Sequence, residues 1–448
     1  MEHRATAQQE RPLERPLPEG PAAAAGPSVA YLVSAYPALS HAFIEREVLA
    51  LRAAGARVET FTVRAPDADA RLSVTSRAEA ERTTALVGQP LPAYAAALAD
   101  LLRARPTALL RGVAAAWGSG PRSPRARLWQ QFYLVEAAFL LQQMRRRGLR
   151  HVHAHFANNG ADVARLVVAL GRALDGPDAG WAWSFTMHGP TEFDDVDGHD
   201  LPAKARSASA VACISEYCRD RLSALAGPEH RAKMSVVRMG VGADRFPPSS
   251  ALRAARPPGP LRVLFVGRLV PEKGPELLLR AARSLRDAGR ALEVVLVGAG
   301  PLRAALEQEV RERGLQDVVR LQGPVGQDDL PGWYEWADVF CLPSYAEGVP
   351  VVLMEAMATE LPVVTTPVAG VPELVADGAT GLLVDPGDVP GVAAAIERLA
   401  QDAPLRHELG RSARERVLEE FQPGPNARRM LEVLGAVAAG ARAERGGR

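Results

Sequence analysis

Short apolar segments rich in β-branched residues alternate with longer amphipathic segments along most of this chain. After residue 28 the order is VAYLVS (29–34), FIEREVLALRAAG (43–55) and RVETFTV (57–63), which predicts a strand, a helix and a strand. Gly55 follows the helical segment, where a glycine commonly ends a helix. Because strands separated by helices pair in parallel, the alternation predicts an α/β fold built on parallel sheets.

The same alternation restarts in the second half of the chain, after a stretch typical of a linker (PPSSALRAARPPGP). A chain of 448 residues also exceeds what one hydrophobic core usually serves. We therefore predict two doubly wound, Rossmann-like α/β domains that face each other across a cleft. The predicted division is a disordered tail (1–27), a first domain (28–246), the linker (247–260), a second domain (261–422), and a C-terminal segment (423–448) whose helix crosses back to the first domain.

Ligands of doubly wound sheets bind at the carboxyl ends of the strands. Segments that predict further strands are 151–156, 181–188 and 210–215 in the first half, and 261–267, 292–298, 318–323, 339–344, 362–366 and 381–384 in the second. In the second half, Gly267, Gly298, Ser344 and Glu347 stand at or just after such ends. We expect these four residues to converge on one wall of the cleft.

The segment EGVPVVLMEAMA (347–358) carries two carboxylates, Glu347 and Glu355, with seven residues between them across a loop-to-helix junction. Gly348 permits a tight backbone path, and Pro350 suits the start of a helix. Unpaired N–H groups at a helix start favour phosphate or sugar hydroxyls. At about 1.5 Å per helical residue, Glu355 lies roughly 8 Å further on, a separation that suits a sugar and a ribose joined by a diphosphate.

Two loops after predicted strands add candidate phosphate contacts. GRLVPEKG (267–274) supplies Arg268 and Lys273, which predict a diphosphate clamp, the alternative being surface charges on a solvated loop. VGAGPLR (297–303) has Arg where a GxGxxG fingerprint needs its third glycine, so a dinucleotide site is weakly supported. Gly298 and Gly300 are either close to a nucleotide or simple turn glycines, and both interpretations stay open.

His188 ends a predicted strand on the first domain's side of the cleft and is followed by Gly189. It is positioned to bond a sugar hydroxyl or to orient the reacting groups, whereas a lone histidine is more often structural.

Two patterns suggest a metal, and we predict none. The acidic cluster at 194–197 offers oxygen ligands, but the cations of GRLVPEKG already supply the charge that a divalent ion would. His151, His153 and His155 alternate, so a strand would carry them on one face, as a tri-histidine zinc site requires. No acid or fourth ligand is evident beside this row.

Charge and composition restrict the partners. A net charge of +1 gives no electrostatic argument for nucleic acid. Residues 101–150 differ, with ten arginines against one acid, Glu136, and with interleaved aromatic residues. This pattern is typical either of a surface that meets anionic lipid or of solvated helix faces with core aromatics, and both interpretations stay open.

The expected compartment is a reducing cytoplasm, with peripheral association at the inner face of the membrane as an extension of the lipid interpretation. Three cysteines, Cys213, Cys218 and Cys341, are too few for a disulfide framework. Residues 1–27 lack the continuous apolar core of a secretory signal, and no later run reaches the roughly 18 apolar residues needed to span a bilayer.

Taken together with GVPELVADGATGLLVDPGD (370–388), these motifs resemble the retaining GT-B glycosyltransferases of the GT4 family. SAYPALSHAFIEREVLAL, HAHFA and TMHGPTEF resemble its bacterial exopolysaccharide and colanic-acid branch. The resemblance implies that Arg268 and Lys273 bind the donor diphosphate, Glu347 the transferred sugar and Glu355 the ribose. It further implies backbone contacts from the stretch Gly348, Val349 and Pro350, a position for His188 near the reacting centre, and no metal. Many relatives have a glycine-rich first loop where this chain reads SAYPALSHAF, which leaves acceptor contacts open.

These inferences predict transfer of a hexosyl-type sugar from a nucleotide-sugar donor, most simply a UDP- or GDP-sugar, with retention of configuration and no cofactor. The acceptor is a saccharide or a lipid-linked saccharide. We expect a front-face displacement, in which the leaving diphosphate accepts the acceptor's proton, because no residue is evident as nucleophile for a double displacement. The alternatives are a nucleotide-sugar 2-epimerase on the same fold and a noncatalytic protein that binds sugar nucleotides.

Overall fold

Two parallel sheets organise the chain, as a computed structural model describes it for residues 26–38, 41–65, 73–121 and 123–446. The first sheet has strand order β3-β2-β1-β4-β5-β6-β7 and the second β10-β9-β8-β11-β12-β13. The strands are β1 (Ser28–Ala35), β2 (Arg57–Arg64), β3 (Thr84–Ala85), β4 (His151–His155), β5 (Ala182–Met187), β6 (Ala210–Cys213), β7 (Met234–Val236), β8 (Leu261–Val266), β9 (Leu292–Val297), β10 (Val319–Gly323), β11 (Val339–Leu342), β12 (Val363–Thr365) and β13 (Leu382–Leu383). The predicted architecture of two doubly wound α/β sheets is confirmed.

Helices cover both faces of each sheet. They are α1 (Ala42–Ala53), α2 (Val74–Arg82), α3 (Leu91–Ala104), α4 (Pro106–Trp117), α5 (Pro124–Arg146), α6 (Asn159–Asp175), α7 (Thr191–Asp194), α8 (Leu201–Ser207), α9 (Glu216–Ala226), α10 (Ser250–Ala254), α11 (Pro275–Asp287), α12 (Arg303–Glu312), α13 (Leu330–Trp336), α14 (Val351–Ala358), α15 (Val371–Leu374), α16 (Val389–Gln401), α17 (Ala403–Glu420) and α18 (Pro423–Gly446). No helix in the described part of the chain combines the length and apolarity needed to cross a bilayer.

The first sheet separates two apolar layers. On one side, alternate residues of β1 such as Val29 and Tyr31 pack with α1 and with the C-terminal helix α18, which contributes Met430 and Leu434. On the other side, the intervening residues face α3 to α6. Because side chains alternate across a strand, this arrangement places the odd-numbered histidines of β4 on the α1 side.

Two connections join the halves, and they lie side by side. The first runs from β7 toward β8, and the second leads from α17 into α18. Val241 N in the first donates to Phe421 O in the second at 2.9 Å. Arg238 forms ion pairs with Glu373 and Glu420, both at 3.2 Å, so the paired connections are also tied to the second half.

The stretch predicted as a linker has structure of its own. Residues 250–254 form α10, and Arg253 Nη2 donates to Thr359 O at 2.9 Å. Arg256 Nη2 lies 2.7 Å from Asp338 Oδ1, which fixes the stretch to the second half. The proposed domain bounds remain a prediction. Of the tail predicted for 1–27, residues 1–25 lie outside the described part.

Candidate active site

The loop before α14 brings together residues from two strand ends. Glu347 is 3% exposed, and its Oε1 accepts from Ser344 Oγ at 2.7 Å. Its Oε2 lies 2.6 Å from Lys273 Nζ, which comes from the loop after β8. Tyr345 N donates to Glu272 O at 2.8 Å, so the two loops are also joined through their backbones. The predicted proximity of Lys273 and Glu347 is thus present in the structure.

The predicted glycines pack against backbone. Gly298 has φ +146°, and a Cβ there would lie 1.8 Å from Gly267 O, so only glycine is compatible with this contact. A Cβ at Gly300 would lie 2.3 Å from Leu269 O. These close backbone contacts explain the two glycines as turn residues. A nucleotide contact at either glycine stays a prediction.

Arg268 is exposed, and within the described residues its guanidinium has no hydrogen bond or ion pair. It stands close to His41, near the start of α1, across from the first sheet. Burial is the main cause that lowers the pKa of His41, against a hydrogen bond to Ala35 O that raises it, and repulsion from the neighbouring His155 ring and from Arg268 lowers it further. Arg268 is therefore a cation without a bonded partner among the described residues, and it lies close enough to His41 of the first half to lower the pKa of that ring.

His188 directly follows β5, so it stands at the carboxyl edge of the first sheet, where it is buried. Its Nε2 lies 3.1 Å from Nδ1 of His155, and the ring centroid of Phe156 lies 4.4 Å from its own. Burial holds the pKa of His188 well below its usual range, and repulsion from the neighbouring imidazoles of His155 and His41 acts in the same direction, so the ring is neutral near pH 7.

The two halves meet at His188. A Cβ at Gly348 would lie 2.6 Å from His188 O and 3.0 Å from Ile214 Cδ1. Gly348 O also accepts from Gly370 N at 3.1 Å, and Val349 is buried in the core of the second half. Pro350, predicted for the first turn of the helix, stands immediately before it, as the cap of α14. This close approach places His188 directly across from the loop that carries Glu347.

Glu192 is a buried residue of the site that the sequence analysis missed. Its carboxylate accepts from the backbone N–H of Ala157 and, at 3.2 Å, from that of His188, so it joins the ends of β4 and β5. Burial raises the pKa of Glu192 to about 7, against the backbone hydrogen bonds and Lys204, which lower it. The segment TEF gave no signal, because only the folded chain brings the two strand ends to this side chain.

The histidine row lies on one face of β4, as its alternation predicts. His151 Nε2 and His153 Nδ1 each lie 2.7 Å from Ser184 Oγ, and His153 Nε2 lies 2.9 Å from Thr186 Oγ1. Both nitrogens of His153 are thus hydrogen-bonded to hydroxyls. The absence of a metal stays a prediction.

The expectation that no acid accompanies the row was wrong. Glu47 of α1 has ligand atoms within 4.8 Å of those of His153 and His155. Its Oε1 accepts from Tyr31 Oη at 2.7 Å and lies 3.5 Å from His155 Nε2. The row therefore extends, through His155, from His188 to a carboxylate. The acid escaped notice because α1 is more than 100 residues away in sequence.

Glu355 is buried at the contact between the halves, with 1% exposure. Its Oε1 lies 2.9 Å from Nη2 of Arg46, in α1, and its Oε2 accepts from Tyr334 Oη at 2.9 Å. The same Arg46 nitrogen also donates to Gln327 Oε1 at 3.2 Å. The predicted ribose contact is therefore engaged by protein groups, neither of which the sequence indicated.

A family model described as "Glycosyl transferases group 1" matches residues 253–416. Alpha-D-kanosaminyltransferase of Streptomyces kanamyceticus is 31% identical over 327 residues, which cover 67% of this chain and 78% of that protein. The chain belongs to the group 1 glycosyl transferase family. The family predicted from the motifs is thereby confirmed.

Relatives of the predicted branch match over shorter stretches. The amylovoran biosynthesis glycosyltransferase AmsK of Erwinia amylovora is 35% identical over 52% of this chain and 58% of its own length. The putative colanic acid biosynthesis glycosyltransferase WcaL of Salmonella typhimurium is 35% identical over 49% of this chain and 55% of its own. The chain thus spans about half the length of these two relatives.

Solved structures agree on the fold. Sucrose-phosphate synthase from Thermosynechococcus elongatus has a TM-score of 0.68 at 23% identity, covering 92% of this chain and 100% of that one. Anabaena HepE, solved in complex with UDP and glucose, has a TM-score of 0.68 at 17% identity, and the match covers 91% of this chain and 99% of that one. The predicted GT-B fold is confirmed.

Proposed function

We propose that this protein transfers a sugar from a nucleotide-sugar donor to a saccharide or lipid-linked saccharide acceptor, with retention of configuration. The observation that carries the proposal is the arrangement of Ser344, Glu347 and Lys273 at a loop-to-helix junction. Arg268, which has no ion pair with any described residue, stands on the same loop as Lys273. A carboxylate held by two partners is preorganised for sugar hydroxyls, and two cations suit a diphosphate. The names of the relatives, AmsK and WcaL among them, support the reaction class and a role in exopolysaccharide or related glycan synthesis.

The donor half of the site would be built on α14 and the loop after β8. Lys273 and Arg268 would contact the diphosphate, and Glu347 the hydroxyls of the transferred sugar. Glu355 would share a ribose hydroxyl, because each carboxylate oxygen has a second lone pair beyond the bonds to Arg46 and Tyr334. The HepE structures with UDP and UDP-glucose support a nucleotide donor on this fold.

The chemistry would take place between Glu347 and His188. The bond from the anomeric carbon to the leaving diphosphate breaks as the acceptor oxygen bonds to the same face of that carbon. The departing phosphate oxygen takes the acceptor's proton, so no protein base is needed. Arg268 and Lys273 would stabilise the negative charge that develops on the diphosphate. His188, neutral near pH 7, would orient an acceptor or sugar hydroxyl.

The test is release of nucleoside diphosphate from a panel of UDP-, GDP- and ADP-sugars, with a lipid-linked saccharide extract as acceptor. Release from one donor that rises with acceptor and is lost in Glu347→Gln supports the proposal, and product stereochemistry decides retention. Conversion of a donor to its epimer without acceptor identifies the epimerase alternative. No release from any donor by a folded protein would argue against sugar transfer from these nucleotides.

The compartment belongs to the same proposal. Cys213, Cys218 and Cys341 are buried free thiols, which fits the reducing cytoplasm, where nucleotide sugars would be the donors.

A further inference from the structure

Two neighbouring helices of the first half expose large apolar side chains. On α4, Leu110, Val113 and Trp117 share one face, at spacings of three and four residues, and are 70%, 42% and 55% exposed. The opposite face of α4 is buried against the protein through Ala108, Gly112 and Ala116. The exposed face is therefore left over after the helix has packed.

The first turns of α5 continue this surface. Leu128, Trp129 and Phe132 are 59%, 50% and 54% exposed, and the rings of Trp129 and Phe132 are 5.5 Å apart between centroids. The guanidinium of Arg127 lies 5.5 Å from the centroid of Trp117, which joins the two helices across the surface. The α4–α5 patch consists of Leu110, Val113, Trp117, Leu128, Trp129 and Phe132. Single exposed apolar residues are ordinary, whereas a contiguous group of this size marks an interaction site.

Three arginines stand on α4 and α5 beside the residues of the α4–α5 patch. Arg111, Arg125 and Arg127 make no ion pair with any residue that the structure describes. Elsewhere in the same stretch arginines are paired, as Arg145 and Arg150 are with Asp175 at 3.0 Å. Unpaired arginines beside tryptophan and phenylalanine match a partner that is anionic at its surface and apolar beneath, as a bilayer of acidic phospholipids is.

The α4–α5 patch lies at the edge of the first sheet that carries His188. Helix α5 leads directly into β4, so its beginning lies toward the carboxyl ends of the parallel strands. The loop between α4 and α5 is held at the same edge, because Gly120 N donates to Asp200 Oδ2 at 3.3 Å, in the segment that follows β5. Tyr133 stands one turn after Trp129, with 6.4 Å between the ring centroids. Burial raises the pKa of Tyr133, and the charge of Asp162, at the start of α6, raises it further, while Arg64, at the end of β2, lowers it. Both charges stand at carboxyl ends of strands.

We propose that the α4–α5 patch docks this protein on an anionic bilayer surface. Trp117, Trp129 and Phe132 enter the headgroup region, while Arg111 and Arg125 contact lipid phosphates. Docking in this way turns the carboxyl edge of the first sheet toward the membrane. That orientation would deliver a lipid-linked acceptor to His188, and only this delivery of the acceptor rests on the proposed function.

The experiment is cosedimentation of the full chain with phosphatidylcholine vesicles that contain or lack phosphatidylglycerol. We expect binding to the anionic vesicles only, weakening as salt is raised, and quenching of tryptophan fluorescence by lipids brominated in their acyl chains. The variants Trp117→Ser/Trp129→Ser/Phe132→Ser and Arg111→Glu/Arg125→Glu should each reduce the partition coefficient more than tenfold. The control is Leu418→Ser/Arg411→Glu on α17, which changes an apolar residue that is 44% exposed and an exposed arginine outside the α4–α5 patch.

Three outcomes would overturn the proposal. One is equal recovery on both vesicle types, and another is loss of binding in the arginine variant alone, which would mean adsorption without insertion. The third is a dimer in sedimentation velocity that the aromatic variant dissolves, without vesicle binding, which would assign the α4–α5 patch to a second copy. Circular dichroism verifies that each variant is folded. Donor turnover on a detergent-dispersed acceptor is measured in parallel, so failure of docking is distinguished from failure of sugar transfer.

Discussion

Lys273 Nζ lies 2.6 Å from Glu347 Oε2, so two groups predicted to hold a donor are bonded to each other. Ser344 holds the other oxygen of the same carboxylate at 2.7 Å. A pair that is already in place loses less side-chain freedom when a ligand arrives, because both rotamers are fixed beforehand. An incoming diphosphate would share Lys273 with Glu347, which ties the phosphate position to the sugar position.

Glu347→Gln should lower turnover more than tenfold, a loss of at least about 1.4 kcal/mol of transition-state stabilisation. The amide keeps the shape but gives up the ion pair and one acceptor. Steady-state rates for the identified donor measure the effect. Glu272→Gln is the matched control, because Glu272 is exposed on the same loop and contributes its backbone oxygen to the contact with Tyr345. A rate near that of wild type in folded Glu347→Gln would remove this residue from the site.

Arg268→Ala should also lower turnover more than tenfold while leaving the unfolding temperature unchanged. The reason is that the guanidinium has no ion pair or hydrogen bond with any described residue, so its removal leaves no protein group unsatisfied. Rates and thermal unfolding are compared with those of Arg311→Ala, an exposed arginine on α12. Equal losses of stability and activity would indicate a structural role for Arg268 instead.

Gly348→Ala should abolish most activity, because a Cβ there would stand 2.6 Å from His188 O and force the halves apart. Gly332→Ala in α13 is the matched control, since a Cβ at that glycine has no neighbour within 4 Å. Turnover and small-angle scattering report on the two variants. Full activity in Gly348→Ala would mean that the approach of the loop to His188 is not needed for the reaction.

Glu136→Gln should stabilise the protein at pH 8 by about 2 kcal/mol and leave it unchanged at pH 4. Burial raises the pKa of Glu136 from 4.5 to about 7, with Arg64 opposing, and Oε2 has no hydrogen-bond partner among the described residues. The folded protein therefore binds the proton more tightly than the unfolded chain. The contribution of Glu136 to stability falls as pH rises from about 4.5 to about 7.

Urea unfolding of wild type and Glu136→Gln across that pH range measures the difference, with exposed Glu415→Gln as control. A difference between the two proteins that stays constant with pH would contradict the raised pKa.

Arg46→Met should destabilise the protein by about 3 kcal/mol, because it leaves the buried carboxylate of Glu355 without its cation. The double variant Arg46→Met/Glu355→Gln should recover part of that loss, since the charge is then gone. Urea unfolding followed by tryptophan fluorescence and by circular dichroism gives the values. Strictly additive losses in the double variant would show that the two side chains do not interact.

The sequence was most informative where one short segment contains the whole signal. The alternation of apolar runs predicted the long strands and their parallel pairing. The motifs GRLVPEKG and EGVPVVLMEAMA, each placed after a predicted strand, indicated that Lys273 and Glu347 lie near each other. Strands β3 and β7, of two and three residues, were missed because so few residues carry no periodicity. Arg46, Glu47 and Glu192 were missed for a different reason, since each meets its partners only through tertiary contacts.

The paired connections between the halves restrict how the cleft can move. The two connections between the halves are hydrogen-bonded to each other, from Val241 N to Phe421 O. We expect such a double connection to favour opening and closing of the cleft about one axis over twisting of one half against the other. Nucleotide entry would then widen the gap between Gly348 and His188 without sliding one past the other, and each closure would restore the same alignment of the two halves.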